Sequence, residues 1–212
     1  MPFTPHDAAV HAIRRARRLL DASREAAAPT LSLTARSDIR RLSIVMAVAA
    51  LDTYMHRLVV DRAYAHRELP GALAKLPMTF QELLNQADAA KVAARRKPHR
   101  SRPRVAIKRQ LRDRLLRETF QRYDEVAKAL GMAGRSGAWE AIGQHLDLPM
   151  TTEQIKERLN GIVTRRNQIV HEGDYRRLER PRGPGRNRIT YPQAKADIDF
   201  LSNLIEAIHS VV

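Results

Sequence analysis

An all-α helical bundle, with long loops and one basic linker, is the fold that the sequence predicts, and three observations predict it. Apolar residues recur at three- and four-residue spacing through most of the 212-residue chain. Runs that alternate β-branched with polar residues, the mark of a half-buried strand, are nearly absent. Seven stretches carry helical spacing between breaks rich in Pro and Gly, which favours a bundle over an α/β sheet. The length suits one domain over 1–212, and no internal repeat is visible.

The first helix is expected over about Pro5 to Arg24, where Val10, Ile13, Leu19 and Leu20 are surrounded by Arg14, Arg15, Arg17 and Arg18. AAAPTLSLT breaks the pattern. A long helix comes next, from near Thr34 or Ser37 to about Glu68, with Ile39, Leu42, Val45 or Met46, Ala49, Leu58 and Val59 as its apolar stripe. LPGALAKLP ends it, because Pro70 removes a backbone donor and Pro77 restricts the residue before it. Thr79 with Glu82 forms a capping box for the next helix, which stops before Pro98.

Arg95 to Arg104, RRKPHRSRPR, has no aliphatic anchor and reads as a basic linker. Beyond it Ile107, Leu111, Leu115, Phe120, Tyr123, Val126 or Ala127 and Leu130 make one amphipathic segment closed by Gly131 and Gly134. Between Arg95 and Arg122 twelve Lys and Arg residues face only Asp113 and Glu118. Ser136-Gly137 opens a short helix around Trp139, Ile142 and Leu146, ended by Pro149. Thr151 or Thr152 caps a helix over about Glu153 to Val170. Residues 172–191 form an irregular loop with an extended piece at Ile189 to Tyr191, and the last helix starts after Pro192, using Ala196, Phe200, Leu204, Ile208 and Val211.

Charge narrows the choice of partner. Lys and Arg total 38 against 23 Asp and Glu, a formal +15, with a pI near 11.0. Most of the excess is arginine, whose fork matches phosphate geometry, so a polyanion and above all nucleic acid is the expected partner. Arg95, Arg96, Lys97, Arg100, Arg102 and Arg104, with Lys108, Arg109 and Arg112 on the following helix, are the candidate RNA-binding residues. Hydrophobic residues make up 43% of the chain, so it folds. The absence of cysteine rules out disulfides, thiolate zinc sites and a cysteine nucleophile. No HExxH spacing occurs among the eight histidines, and no metal or cofactor is expected. The N-terminus lacks a signal-peptide core, and the longest strongly apolar run, Ile44 to Leu51, is short for a bilayer span. A cytoplasmic protein without membrane association is expected.

The helix before the irregular loop has two unlike faces. Ile155, Leu159, Ile162, Arg166 and Ile169 keep to the spacing of a buried stripe flanked by Val163 and Val170, so Arg166 takes a place where packing favours an aliphatic residue. Asn160, Thr164, Asn167 and His171 form a second row, and Asn167 and His171 share a face if the helix reaches His171. A permanent charge in a buried stripe needs an anion, an acidic side chain or a subunit contact, or it snorkels to the bundle edge.

RNQIVHEGDY, Arg166 to Tyr175, resembles the signature of HEPN ribonucleases, an Arg followed by a polar residue with a His four to six residues beyond. Arg166 and Asn167 match the first positions and His171 the last; Arg165 also gives a permitted spacing, but the Asn directly follows Arg166. VAALDTYMHRLVVDRA in the early long helix and the Trp-bearing segment extend the likeness to the RiboL-PSP-like branch found in bacteria. The basic tract has no counterpart in that signature. The resemblance implies an all-helical domain that forms a homodimer, brings two motifs together in a cleft and cleaves RNA without metal, as a toxin or in phage defence under an antitoxin or other regulatory protein. It assigns catalysis to Arg166, Asn167 and His171, with products ending in a 2′,3′-cyclic phosphate and a 5′-hydroxyl. The alternatives are a noncatalytic RNA-binding or regulatory HEPN-like module and an antitoxin-associated structural protein.

The chemistry stands independently of the likeness. RNA carries its own nucleophile, so an imidazole that moves a proton and an arginine that steadies phosphoryl charge suffice. Asp52, in phase with Val45 and Val59, is a candidate to orient His171 or pair with Arg166, against the reading that it is a charge at the stripe boundary; His56 stands one turn on. Tyr54 and Tyr175 are candidates for base stacking or for packing.

Overall fold

In a computed structural model of the chain, residues 3–24, 30–62, 92, 109, 111–176 and 185–212 are described. The continuation of the long helix expected beyond Arg62, the LPGALAKLP break, the helix expected after Thr79 apart from Val92, the basic tract and Lys108 lie outside them. Helix α1 spans Pro5–Ala22 and α2 spans Leu33–Arg62. Then come α3 over Tyr123–Met132, α4 over Trp139–Gln144, α5 over Thr152–His171 and α6 over Tyr191–Val211. Among the described residues there is no strand, and Tyr175 and Arg186 form an isolated antiparallel bridge.

Reciprocal caps set three of the helix starts. Thr4 Oγ1 accepts from Asp7 N at 3.0 Å while the Asp7 carboxylate accepts from Thr4 N at 2.9 Å, and Pro5 takes a position where its missing N–H costs nothing. Thr151 with Gln154 and Thr190 with Gln193 repeat the arrangement at α5 and α6. The last helix therefore begins at Tyr191, and the extended piece expected at Ile189 to Tyr191 is replaced by a buried Ile189 leading into a cap.

The 30-residue α2 is about 45 Å long at 1.5 Å per residue and forms the axis of the bundle. It packs against α1, α3, α5 and α6, and side chains from all six helices share one apolar cluster. By length and composition α2 would suit a bilayer, but most of its apolar window is buried inside the protein. Its core face is Ile44, Ala47, Val48, Leu51, Met55 and Leu58. This corrects the expected stripe: Ile39, Val45 and Met46 are half-buried, Ala49 is exposed, and Leu42 is 53% exposed. Apolar residues line more than one side of α2, so periodicity alone cannot choose the inner side.

A second correction concerns the segment expected as one helix from Ile107 to Leu130. Helix is present at 111–115, stops through 116–122, and resumes as α3. Leu115 and Phe120 are both fully buried on either side of the break, which is why the apolar spacing survives it.

Candidate functional site

Helix α5 is held to the core by Ile155, Leu159, Ile162 and Val163, all buried. Past Val163 that face emerges from the bundle: Arg166, Asn167 and Ile169 are half-buried, Val170 is 46% exposed, and His171 is exposed. The helix does reach His171, so Asn167 and His171 lie one turn apart on one side. Arg166 Nη1 donates to Asn167 Oδ1 at 2.9 Å. Arg166 Nε is buried without an acceptor. Stripping a charged donor of water and giving it no acceptor costs about 1–3 kcal/mol or more.

A tight turn just past His171 fixes the end of the helix. Gly173 and Asp174 both adopt positive φ, 62° and 61°. Asp174 N and Glu172 N donate to Gln168 O at 2.9 and 3.1 Å, wrapping the chain around His171. Left-handed backbone is costly for a residue with a Cβ, and the buried Asp174 carboxylate supplies the compensation. It is 0% exposed and forms two 2.9 Å contacts with Arg165, accepts from Arg41 Nε of α2 at 2.6 Å, and accepts from Asn187 Nδ2 at 3.2 Å. Arg41 is itself held by Ser37 Oγ at 2.7 Å, Asp38 at 3.2 Å and the Asn187 carbonyl at 2.7 Å. One carboxylate thus ties α2, the end of α5 and the approach to α6 together.

That cluster separates the two adjacent arginines of the motif. Arg165 is paired with Asp174, a carboxylate it shares with Arg41, whereas Arg166 meets only the neutral Asn167 amide among the described residues. The rest of the polar row is divided as well. Asn160 Oδ1 accepts from Tyr123 N at 3.1 Å, and Thr164 Oγ1 accepts from Arg122 Nη2 at 3.1 Å, so the start of α3 is seated across the middle of α5.

Asp52 and His56 serve a different junction. Asp52 accepts from Phe120 N at 2.7 Å and from Gln121 Nε2 at 3.3 Å, stabilising the break before α3. His56 faces the Asp52 carbonyl through Nδ1 at 2.8 Å and the Leu115 carbonyl through Nε2 at 2.9 Å. No hydrogen bond links either residue to Arg166 or His171 among the described residues. Together with Phe3, Arg57, Arg112 and Leu116 they line a groove of about 540 Å³. Arg109 and Arg112 are exposed. Tyr54 is fully buried, with its hydroxyl unpartnered and its ionisation pushed up by burial, so it is a core residue and presents no base-stacking face. Tyr175 is 47% exposed; one side of its ring lies against Gly173, and the Arg186 guanidinium stands 5.9 Å from its centre.

Between α5 and α6 a second groove of about 550 Å³ is lined by Gln154, Arg158, Gly161, Arg165 and Asp197. Burial raises the Asp197 carboxyl above its ordinary range although Arg158 contacts it at 2.6 Å. Among the described residues no group of three or more His, Asp or Glu side chains is arranged to hold a metal ion.

Sequence reasoning missed Arg41, Asp174 and Arg122. The signal for Asp174 was its place beside Gly173 just after a helix end; nothing local distinguished Arg41 or Arg122 among 38 basic residues. A family model described as RiboL-PSP-HEPN matches residues 11–212. No curated protein and no solved structure matches the chain.

Proposed function

The chain belongs to the RiboL-PSP-HEPN family, and on that premise we propose that it is a metal-independent endoribonuclease acting as a homodimer. Membership points to a nuclease or RNA-related role. The finer reading is carried by one observation: α5 brings a half-buried Arg166 with an unclaimed Nε–H, its Asn167 partner and an exposed His171 to one end of the bundle. The 2′-hydroxyl of RNA attacks the adjacent phosphorus, the bond from phosphorus to the 5′ oxygen breaks, and the products are a 2′,3′-cyclic phosphate and a 5′-hydroxyl. His171 moves a proton in this exchange, and Arg166 meets the charge on the phosphoryl oxygens while Asn167 holds the guanidinium in place. A toxin or defence role, with an antitoxin or other protein as regulator, accompanies this reading. Purified protein incubated with mixed RNA in EDTA tests it, cyclic phosphate ends being the result expected and uncut RNA the result against it.

The dimer is argued from the surface that α2 and α5 leave uncovered. Leu42 and Val170 stand in solvent on the two helices joined by the Asp174 cluster, and a two-fold partner would cover both and set two motifs facing. Light scattering at micromolar concentration should give about twice 24.1 kDa; a monomer at every concentration and salt would refute the dimer.

RNA affinity should fall steeply with salt. Neutralising Arg95, Arg96, Lys97, Arg100, Arg102 and Arg104 together should weaken it more than changing six scattered surface charges, since a clustered tract releases counterions from one stretch of backbone. Unchanged affinity in a filter-binding titration would remove the tract as the main electrostatic footprint.

A further inference from the structure

The seat of α3 on α5 places a guanidinium on the motif side of that helix. Arg122 is half-buried, and its one side-chain hydrogen bond among the described residues goes to the exposed, neutral hydroxyl of Thr164. Arg17, Arg41, Arg158, Arg165 and Arg186 are each matched to a carboxylate; Arg122 forms no ion pair among the described residues. Nearby Glu125 is spent on backbone, accepting from Gln121 N at 3.1 Å and Arg122 N at 3.0 Å. The remaining donors of the Arg122 fork are therefore open to an anion.

Its place along α5 states which anion. Thr164 lies three residues before Asn167 and seven before His171, about 10 Å from His171 along the axis. That separation suits a neighbouring phosphate of the same strand rather than the one at His171. Further back, Lys156 stands 5.8 Å from the centre of the Tyr123 ring, where Asp124 and Glu153 add negative charge. Tyr123 is no base platform, because Trp139 stacks on it at 4.3 Å and Lys156 lies over the ring as well.

We propose that Arg122 is a substrate-binding residue that engages the RNA phosphate next to the one cleaved, a role that rests on the reading of Arg166 to His171 as the cleavage site. Thr164 aims it, and the contact selects for a strand that extends past the cut, without preference for the base.

The test is an anisotropy titration with a fully 2′-O-methyl oligonucleotide, which has no attacking hydroxyl, so binding is read without cleavage. Arg122→Gln should weaken binding roughly tenfold, the scale of one charge-assisted contact, and lower the salt slope by about one. Arg122→Lys should recover part of the loss, and Lys156→Gln should change affinity by less than about twofold. Thr164→Val should weaken binding in the native background and add nothing to Arg122→Gln, as two residues serving one contact do. With single methylphosphonates walked along the strand, one position should cost the native protein affinity and be silent in Arg122→Gln. Equal affinity and equal salt slope for native and Arg122→Gln proteins would overturn the proposal. Loss of binding in Arg122→Gln with no cleavage of ordinary RNA by the native protein would sink the nuclease reading and leave the phosphate site standing.

Discussion

Asp174→Ala should lower folding stability by about 3 kcal/mol, the lower end of the cost of removing one partner from a buried ion pair, because Arg41 keeps the half-exposed Asp38 carboxylate at 3.2 Å. Arg41 is 6% exposed and cannot turn to water, so removing the carboxylate strands its guanidinium against Ser37, Asp38 and the Asn187 carbonyl alone. Arg165, more open, can rotate outward. The backbone predicts an order within the series. Asp174→Asn keeps an acceptor and tolerates φ of 61°, Asp174→Gly loses the side chain but relieves the backbone, and Asp174→Ala loses on both counts. Denaturant melts should therefore rank native, Asn, Gly, Ala in falling midpoint at constant slope. A loss below about 1 kcal/mol in the alanine variant would mean that the cluster does not hold the turn. The same variants should lose cleavage in step, because the turn that is released is the one wrapped around His171.

The reach of the sequence differs between the two halves of this site. Thr151 marks the start of α5, and the Arg, Asn and His are separated by helical spacing, so their shared face is legible from local signals once the helix runs on to His171. Asp174 binds an arginine 133 positions away, and no pattern within one helix identifies which of many basic residues it is. The same limit explains the break at 116–122. It contains neither Gly nor Pro, and is stabilised by Asp52, 68 positions distant, capturing Phe120 N. Asp52 is in phase with the apolar residues of α2, which made it a candidate partner for Arg166; its phase is real, but the partner is a backbone amide. Along α2 the ambiguity was of another kind. Leu42 and Ala49 repeat as regularly as Ala47 and Leu51, and only the neighbours α1 and α6 decide that the second pair faces inward. A sequence with two apolar faces on one helix therefore leaves the inner face to be decided by the helices packed against it.

Replacing His171 with alanine should cut RNA cleavage by roughly 10²–10⁴-fold, the usual contribution of a group that moves protons in the transition state. The side chain is exposed at the end of α5 and has no hydrogen bond among the described residues, so its loss should leave helical content and assembly intact. Arg166→Ala should also suppress cleavage but is harder to read, because Arg166 is half-buried at the emerging face where a second copy would sit. The two arginines of the motif should differ in kind: Arg165→Ala should act through stability, since its partner is Asp174, and Arg166→Ala through the rate. Native cleavage should persist in EDTA, and DNA should bind through its phosphates yet remain uncut for want of a 2′-hydroxyl. The sharpest comparison uses one oligonucleotide as RNA and again with a single 2′-deoxy substitution at the mapped cut, in the same salt and EDTA. Cleavage at that position should vanish while neighbouring sites are cut as before. Equal cutting of the deoxy position would show that the attacking oxygen is not the RNA's own, and the proton-transfer role of His171 would fall with it.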